Sequence, residues 1–220
     1  GISDSTYNTQ TTFYNYSVNS VLNKVRPLPP RVDFSFNVGY GWLPKTEGLT
    51  GTDKQFDDKL TSGLAWDLAF HHYIKNFGWG IFYSGYSSDS YYEKTNMDHN
   101  VLLSYIAPLF CTKYSFNKKW MINGEVGVGY LKFSDKISSG IEKGKTYVST
   151  VGFNYGIGIE YKLNKHMGIG ISFNEIVGSA FLKNIKMENV HSIIAYNDYD
   201  RINLNRLNLL GGIRFYFGDR

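Results

Sequence analysis

From residue 31 onward, apolar and polar positions alternate. Phe34, Phe36, Val38, Tyr40 and Trp42 are interleaved with Asp33, Ser35, Asn37, Gly39 and Gly41. Residues 64–70, 77–83, 120–130, 151–161, 167–173 and 207–217 repeat the pattern. In the last of these, Leu209, Ile213, Phe215 and Phe217 fall on one side and Asn208, Gly212 and Arg214 on the other. A period of two puts successive side chains on opposite faces of a β-strand. An eighth strand is expected over 98–112, on Val101, Leu103, Tyr105 and Leu109, its alternation blurred by Leu102, Ile106 and Pro108. None of these stretches has helical period, so the expected class is all-β.

The expected connections alternate in length. Short turns fall at Lys75-Asn76, Asn117-Lys118-Lys119 and Asn164-Lys165-His166, and long polar loops at 43–58, 88–97, 135–146 and 183–200. An even strand number with short turns at one end and long loops at the other describes an antiparallel up-and-down barrel. Residues 1–30, rich in Tyr, Asn, Ser and Thr and ending in Pro27-Leu28-Pro29-Pro30, read as an N-terminal tail or arm. Residues 31–217 then form the barrel, and 218–220 a short C-terminal extension.

Alternation alone does not separate a water-soluble barrel from a membrane barrel; the second face decides. In the seven clear strands the apolar face is broken only by Gly124 and Gly211. The opposite face is dense in glycine, lacks lysine, and carries charge at Asp33, Asp67, Glu125, Glu160 and Arg214. A face toward bulk water would carry many Lys and Glu and little Gly. A narrow lumen instead needs small side chains and a few mutually bonded polar groups. The polar face is therefore expected inside and the apolar face outside, toward lipid. Length agrees, since a membrane-spanning strand needs about 9–11 residues at a tilt of about 45°. Tyr40, Trp42, Tyr83 and Tyr130 near loop ends, and Phe77, Trp120, Tyr161, Phe215 and Phe217 near turn ends, are the expected aromatic girdles at the two interfaces.

Composition narrows the classes further. The 220 residues make one domain, and 17% aromatic content with 23 glycines excludes a disordered chain. No run of 18 apolar residues occurs, so no transmembrane helix is expected. The net charge of +4 is spread along the chain, without the basic stripe and module of a nucleic-acid binder. Cys111, the single cysteine, forms neither an internal disulfide nor a cysteine-based metal site. The first residues lack the basic and apolar regions of a signal peptide, which for an exported barrel implies a processed chain.

The last predicted strand closes with Gly212-Ile213-Arg214-Phe215-Tyr216-Phe217, similar to the C-terminal insertion signal of outer-membrane barrels (Gly, two residues, aromatic, one residue, aromatic). It departs from that signal in continuing through Gly218-Asp219-Arg220 and in having Leu210 at the usually polar position. With the strand pattern, residues 31–217 resemble the small eight-stranded outer-membrane β-barrels of Gram-negative bacteria, the group including the OmpA transmembrane domain, OmpX and the opacity proteins. Residues 34–40, 73–80 and 104–108 also look like porin-like barrels of the Bacteroidetes type. The resemblance implies an outer-membrane location and contact with its lipids, lipopolysaccharide included. It further implies insertion by the barrel-assembly machinery, a monomer, and no cofactor.

Candidate chemistry is sparse. Asp33 and Arg214, near the turn-side ends of the first and last strands, are expected to approach within salt-bridge reach. They would belong to a structural lumen network with Asp67, Glu125, Glu160 and Arg206. Outer-membrane lipid A deacylases use a His-x-Ser pair; here His191-Ser192 is adjacent, and consecutive strand residues point to opposite faces. Asp67 and His71 share a face but lie roughly 13 Å apart along a strand. His71, His72, His99 and His166 lack metal-ligand spacing. Neither catalytic nor metal residues are assigned. Lys75, Lys113, Lys118, Lys119, Lys162 and Lys165 on the turn side are expected against anionic phosphates. The long loops, holding Tyr91, Tyr92, Tyr196 and Tyr199 among polar residues, suit an extracellular partner. The reading is a non-enzymatic outer-membrane barrel with a structural or surface-interaction role. The alternatives are a lipid-modifying enzyme, a narrow channel, and a soluble lipocalin-like carrier.

Overall fold

The structure, a computed structural model, describes residues 27–43, 62–92, 97–139, 142–181, 186–188 and 201–218. Ten strands form: β1 Val32–Trp42, β2 Ser62–Ile74, β3 Phe77–Tyr92, β4 Met97–Ser115, β5 Trp120–Ser139, β6 Glu142–Lys162, β7 Met167–Phe181, β8 Lys186–Glu188, β9 Arg201–Asn203 and β10 Arg206–Phe217. Strands β1 to β7 pair in sequence order, β7 pairs with β10, and β10 pairs with β1. All of these pairings are antiparallel, so eight strands close a barrel. The short β8 and β9 extend it beside β6 and β7 at the loop end.

The register fixes the barrel's shape. Cross-strand partners lead from Val32 to His72, Trp79, Phe110, Val126, Tyr155, Glu175, Leu207 and back to β1 at Trp42. The return lands ten residues on (42 − 32 = 10), which is the shear of the barrel. With about 3.3 Å per residue and about 4.8 Å between strands, eight strands at this shear tilt by about 40° around a backbone radius of about 8 Å. The 11 residues of β1 then cover about 25 Å along the axis, the height of an outer-membrane apolar band.

Outward positions are apolar and exposed: Phe34, Phe36, Val38, Tyr40 and Trp42 on β1, and Val151, Phe153, Tyr155, Ile157 and Ile159 on β6. Their inward neighbours Asp33, Ser35, Asn37, Asn154 and Glu160 are buried. Two outward glycines differ in setting. The Trp66 ring covers Gly85, leaving no room for a side chain there, whereas a Cβ on Gly211 would meet only the Gly170 carbonyl oxygen, 3.9 Å away.

Three expectations are corrected. The segments 88–97 and 135–146 are not simply loops. Strands β3 and β4 pair out to Tyr92↔Met97, and β5 and β6 out to Ser139↔Glu142, so these hairpins run well past the apolar band. On β4 the residues read as its apolar face, Val101, Leu103, Tyr105 and Leu109, point into the barrel, while Leu102, Ile106, Pro108 and Phe110 face outward. The β4–β5 ladder skips Ala107 and Pro108, since proline has no N–H to donate. Third, Lys113 is not at the turn-side surface; it continues the inward set of β4 and is fully buried. The loop 43–58 beyond Leu43 and most of 183–200 lie outside the described residues, as does the tail 1–26. Of the remaining tail, Pro29 and Pro30 are buried at the barrel foot.

Candidate functional site

The lumen divides into two layers. Toward the loops it is a hydrocarbon core of Phe82, Tyr86, Leu103, Tyr105, Leu131, Ile176 and Leu210. Toward the turns it is polar. Lys113, from β4, reaches Asp33 on β1 and lies 2.8 Å from Glu160 Oε2 on β6. His71 puts Nδ1 2.7 Å from Asp33 Oδ1 and Nε2 3.3 Å from Glu125 Oε2. Arg214 donates through Nε to Glu160 Oε1 at 3.1 Å and through a terminal nitrogen to the Asn37 side-chain oxygen. Asn37 donates to Asp67 at 2.5 Å, Asn174 donates to the other Asp67 oxygen at 3.1 Å, and Asn208 donates to Asn174 at 2.6 Å. Tyr216 and Asn123 complete the shell of Glu160 at 3.1 and 3.0 Å. The Lys113 ammonium also lies 5.2 Å from the Tyr73 ring centre and 5.7 Å from that of Tyr216.

The sequence-designated residues therefore do not pair as expected. Asp33 and Arg214 both face the lumen, yet Asp33 is held by Lys113 and His71, and Arg214 by Glu160 and Asn37. Opposite Asp33 on β10 stands Tyr216, and opposite Arg214 on β1 stands Ser35, so the register offsets the two charges. Glu125, Glu160 and Asp67 lie in one connected system with them. Arg206 does not: it sits at the loop end, bonded to Ser84 and stacked 5.6 Å over the Tyr86 ring. Lys113 and His71 were missed. His71 is the direct cross-strand partner of Asp33, and Lys113 shares the odd-numbered parity of Leu109 and Cys111. The first signal needed the register; the second was in the alternation.

Chemically this layer is a structural buttress of interlocked ion pairs. The cavity among Asn37, Asp67, His71, Glu125, Asn174 and Arg214 is about 20 Å³, room for about one water molecule, and the apolar layer caps it. Among the described residues no cluster of His, Cys, Asp and Glu is arranged to hold a metal ion. Cys111 is buried. His191 and Ser192 lie outside the described residues.

The outer face carries the aromatic positions. Trp120 packs edge-on against Tyr161 at 4.9 Å at the turn end, and Tyr40 against Trp42 at 5.1 Å at the loop end. Trp42, Trp120, Tyr130 and Phe217 are exposed, whereas Tyr83, Tyr161 and Phe215 are half-buried among neighbours.

Above the Tyr130–Val151 pair, the β5–β6 hairpin rises for nine more residue pairs to Ser139↔Glu142, with β8 alongside. One face of this sheet gathers lysines. Lys136 stands directly opposite Lys145, and Lys186 opposite Tyr147. The Lys145 and Lys186 ammonium groups lie 5.6 and 6.0 Å from the Tyr147 ring centre. Lys132 is exposed on the same face, opposite Ser149, whose hydroxyl is 2.6 Å from that of Tyr130.

No family model matches the sequence, and no curated protein matches it. Solved structures do. Neisserial surface protein A is similar at a TM-score of 0.54 and 9% identity, covering 84% of this chain and 97% of its own. The outer membrane protease OmpT of Escherichia coli gives 0.48 and 8%, covering 88% of this chain and 99% of its own. A major outer membrane protein of Thermus thermophilus gives 0.48 and 14%, covering 84% and 99%. The closed eight-stranded antiparallel barrel is the fold this chain shares with Neisserial surface protein A. At these identities the likeness is one of fold.

Proposed function

We propose that this protein is a non-enzymatic barrel of a Gram-negative outer membrane that uses its loop-side hairpins to hold an anionic surface glycan. The observation carrying this reading is the lysine face of β5, β6 and β8, raised above the apolar band on a barrel whose described interior is filled. Lys145 and Lys186 stand over Tyr147, and Lys132 and Lys136 share their face at the neighbouring register positions of β5, against one opposing acidic register position, Glu188. Directly opposed like charges destabilise a sheet. Sulfate or phosphate groups spaced along a polysaccharide would neutralise that repulsion, and Tyr147 offers a flat surface to a sugar ring. The filled lumen speaks against a channel, and the lipid-facing apolar surface against a soluble carrier.

The test is binding of dextran sulfate to the detergent-folded protein, with uncharged dextran as control. Dextran sulfate is expected to bind with steep salt dependence, and Lys136→Gln/Lys145→Gln to weaken it about tenfold or more, as for loss of two charge-assisted contacts of about 1 kcal/mol each. Equal binding of both polymers, or an unchanged double variant, removes the proposal.

A further inference from the structure

The opposite end of the barrel carries a second set of lysines, built differently. The β4–β5 turn, Phe116-Asn117-Lys118-Lys119, and the β6–β7 turn, Leu163-Asn164-Lys165-His166, share one design. Asn117 Oδ1 accepts from the Lys119 and Trp120 amides at 2.8 and 2.9 Å; Asn164 Oδ1 accepts from the His166 and Met167 amides at 2.8 and 2.9 Å. Such side-chain-closed turns hold their following residues in place. The Lys162 amide donates to the Lys119 carbonyl at 2.7 Å, which ties β6 to the first turn. Phe116 and Leu163, each first in its turn, are exposed apolar residues at the level where the strands leave the membrane.

Between these turns the outer wall is concave. A groove of about 480 Å³ runs up β5, β6 and β7, floored by Ile157, Ile159 and Ile171, with Trp120 and Tyr161 at its foot and Phe173 at its head. From Tyr161 to Ile157 it climbs about 10 Å along the membrane normal at the tilt derived above, a large part of one leaflet's hydrocarbon depth. The Lys119 ammonium stands 5.6 Å over the Tyr161 ring, at the foot of the groove. Lys118, on the same turn, and Lys165, on the β6–β7 turn, are exposed.

We infer that the foot of β5–β7 is a binding site for an anionic glycerophospholipid of the turn-side leaflet. One acyl chain lies in the isoleucine groove, and the phosphate is held by Lys119 and Lys165. Charge complementarity selects this occupant: an apolar groove alone fits any lipid tail, but the Lys119 ammonium stands over its foot and the turns that bound β5–β7 also carry the exposed Lys118 and Lys165. The inference is independent of the glycan reading, which concerns the other end of the barrel.

The test uses the full chain with Trp120 as its one tryptophan (Trp42→Phe, Trp66→Phe, Trp79→Phe), reconstituted in phosphatidylcholine vesicles. Brominated phosphatidylglycerol is expected to reach half-maximal quenching of Trp120 at a mole fraction at least threefold below that of brominated phosphatidylcholine. Lys119→Gln/Lys165→Gln is expected to abolish that preference, and Lys75→Gln, on the third turn, to leave it intact. A heat-dependent gel shift verifies folding of each variant. Should the paired variant not refold, 1 M salt applied to the parent serves instead, because it screens charge beyond about 3 Å; persistence of the preference then overturns the site. Equal quenching by both lipids, or loss of preference in Lys75→Gln as complete as in the pair, also overturns it. So does weakening of both quenching curves as protein density rises, which identifies a second copy of the chain as the occupant.

Discussion

Lys113 and Glu160 meet inside the lumen with ammonium nitrogen 2.8 Å from carboxylate oxygen, although they enter from β4 and β6 and are 47 residues apart in sequence. Neither side chain has access to solvent. The pair joins two strands that flank β5, and Lys113 also reaches Asp33 on β1, three strands away in the other direction. Removing a partner from a buried pair leaves an uncompensated charge, a loss of about 3–5 kcal/mol. Lys113→Met keeps the length of the side chain and removes the cation from between two carboxylates. Urea unfolding in lipid vesicles, followed by tryptophan fluorescence, is expected to show destabilisation of that order. An outward control, Phe110→Leu, is expected to change stability by less than about 1.5 kcal/mol.

The β2–β3 turn offers the opposite sign. Lys75 has φ of 63°, the left-handed region that side chains avoid, and it is the one non-glycine among the described residues with positive φ. Asn76 clamps the turn by donating to the Lys113 carbonyl at 2.8 Å and accepting from the Lys113 amide, also at 2.8 Å. The geometry is therefore imposed. Lys75→Gly is expected to raise the unfolding free energy by about 0.5–1 kcal/mol, seen as a higher urea midpoint with an unchanged slope.

How far the sequence carried these results depends on which physical quantity each one needs. Alternation, glycine density and charge on one face were enough for eight strands and an inside-out barrel, because side-chain direction follows from parity. The same parity places Lys113 inside, once Val101, Leu103 and Tyr105 are assigned inward; assigning them by hydrophobicity alone inverts β4. That inversion has a physical cause, since the loop-side half of the lumen is apolar and both faces of β4 read alike there. Pair identities needed more. Asp33 faces His71 and not Arg214 because of the register and a shear of ten, which depend on all eight ladders together. Hairpins running past the membrane looked like loops because polar residues on both faces erase the alternation.

The inside-out assignment itself is testable at Ile157, outward on β6 near the middle of the apolar band and 62% exposed on the isolated chain. Were this face wetted, a lysine there would cost little. Facing lipid, Ile157→Lys is expected to destabilise by about 2–4 kcal/mol. The same substitution at Lys-neighbouring Ser149, exposed above the girdle, is expected to cost less than about 1 kcal/mol. Refolding titrations in vesicles read both; equal small losses would place water, not lipid, on this surface.

The lysine hairpin makes a prediction in which stability and binding move in opposite directions. Lys136 and Lys145 are direct cross-strand partners, and like charges so placed repel, more strongly at low salt. Evolution of a purely structural hairpin would have no use for that repulsion, and a single change relieves it. Lys136→Ser keeps a short polar side chain on the strand and is expected to slow amide hydrogen exchange along the β5–β6 tip at low ionic strength. The gain is expected to shrink as salt rises, because an exposed pair is readily screened. The same variant is expected to bind dextran sulfate more weakly, with a shallower dependence on salt, since one fewer cation is neutralised on binding. A variant that slows exchange and leaves polyanion binding untouched would mean that the pair is only a flaw in the sheet.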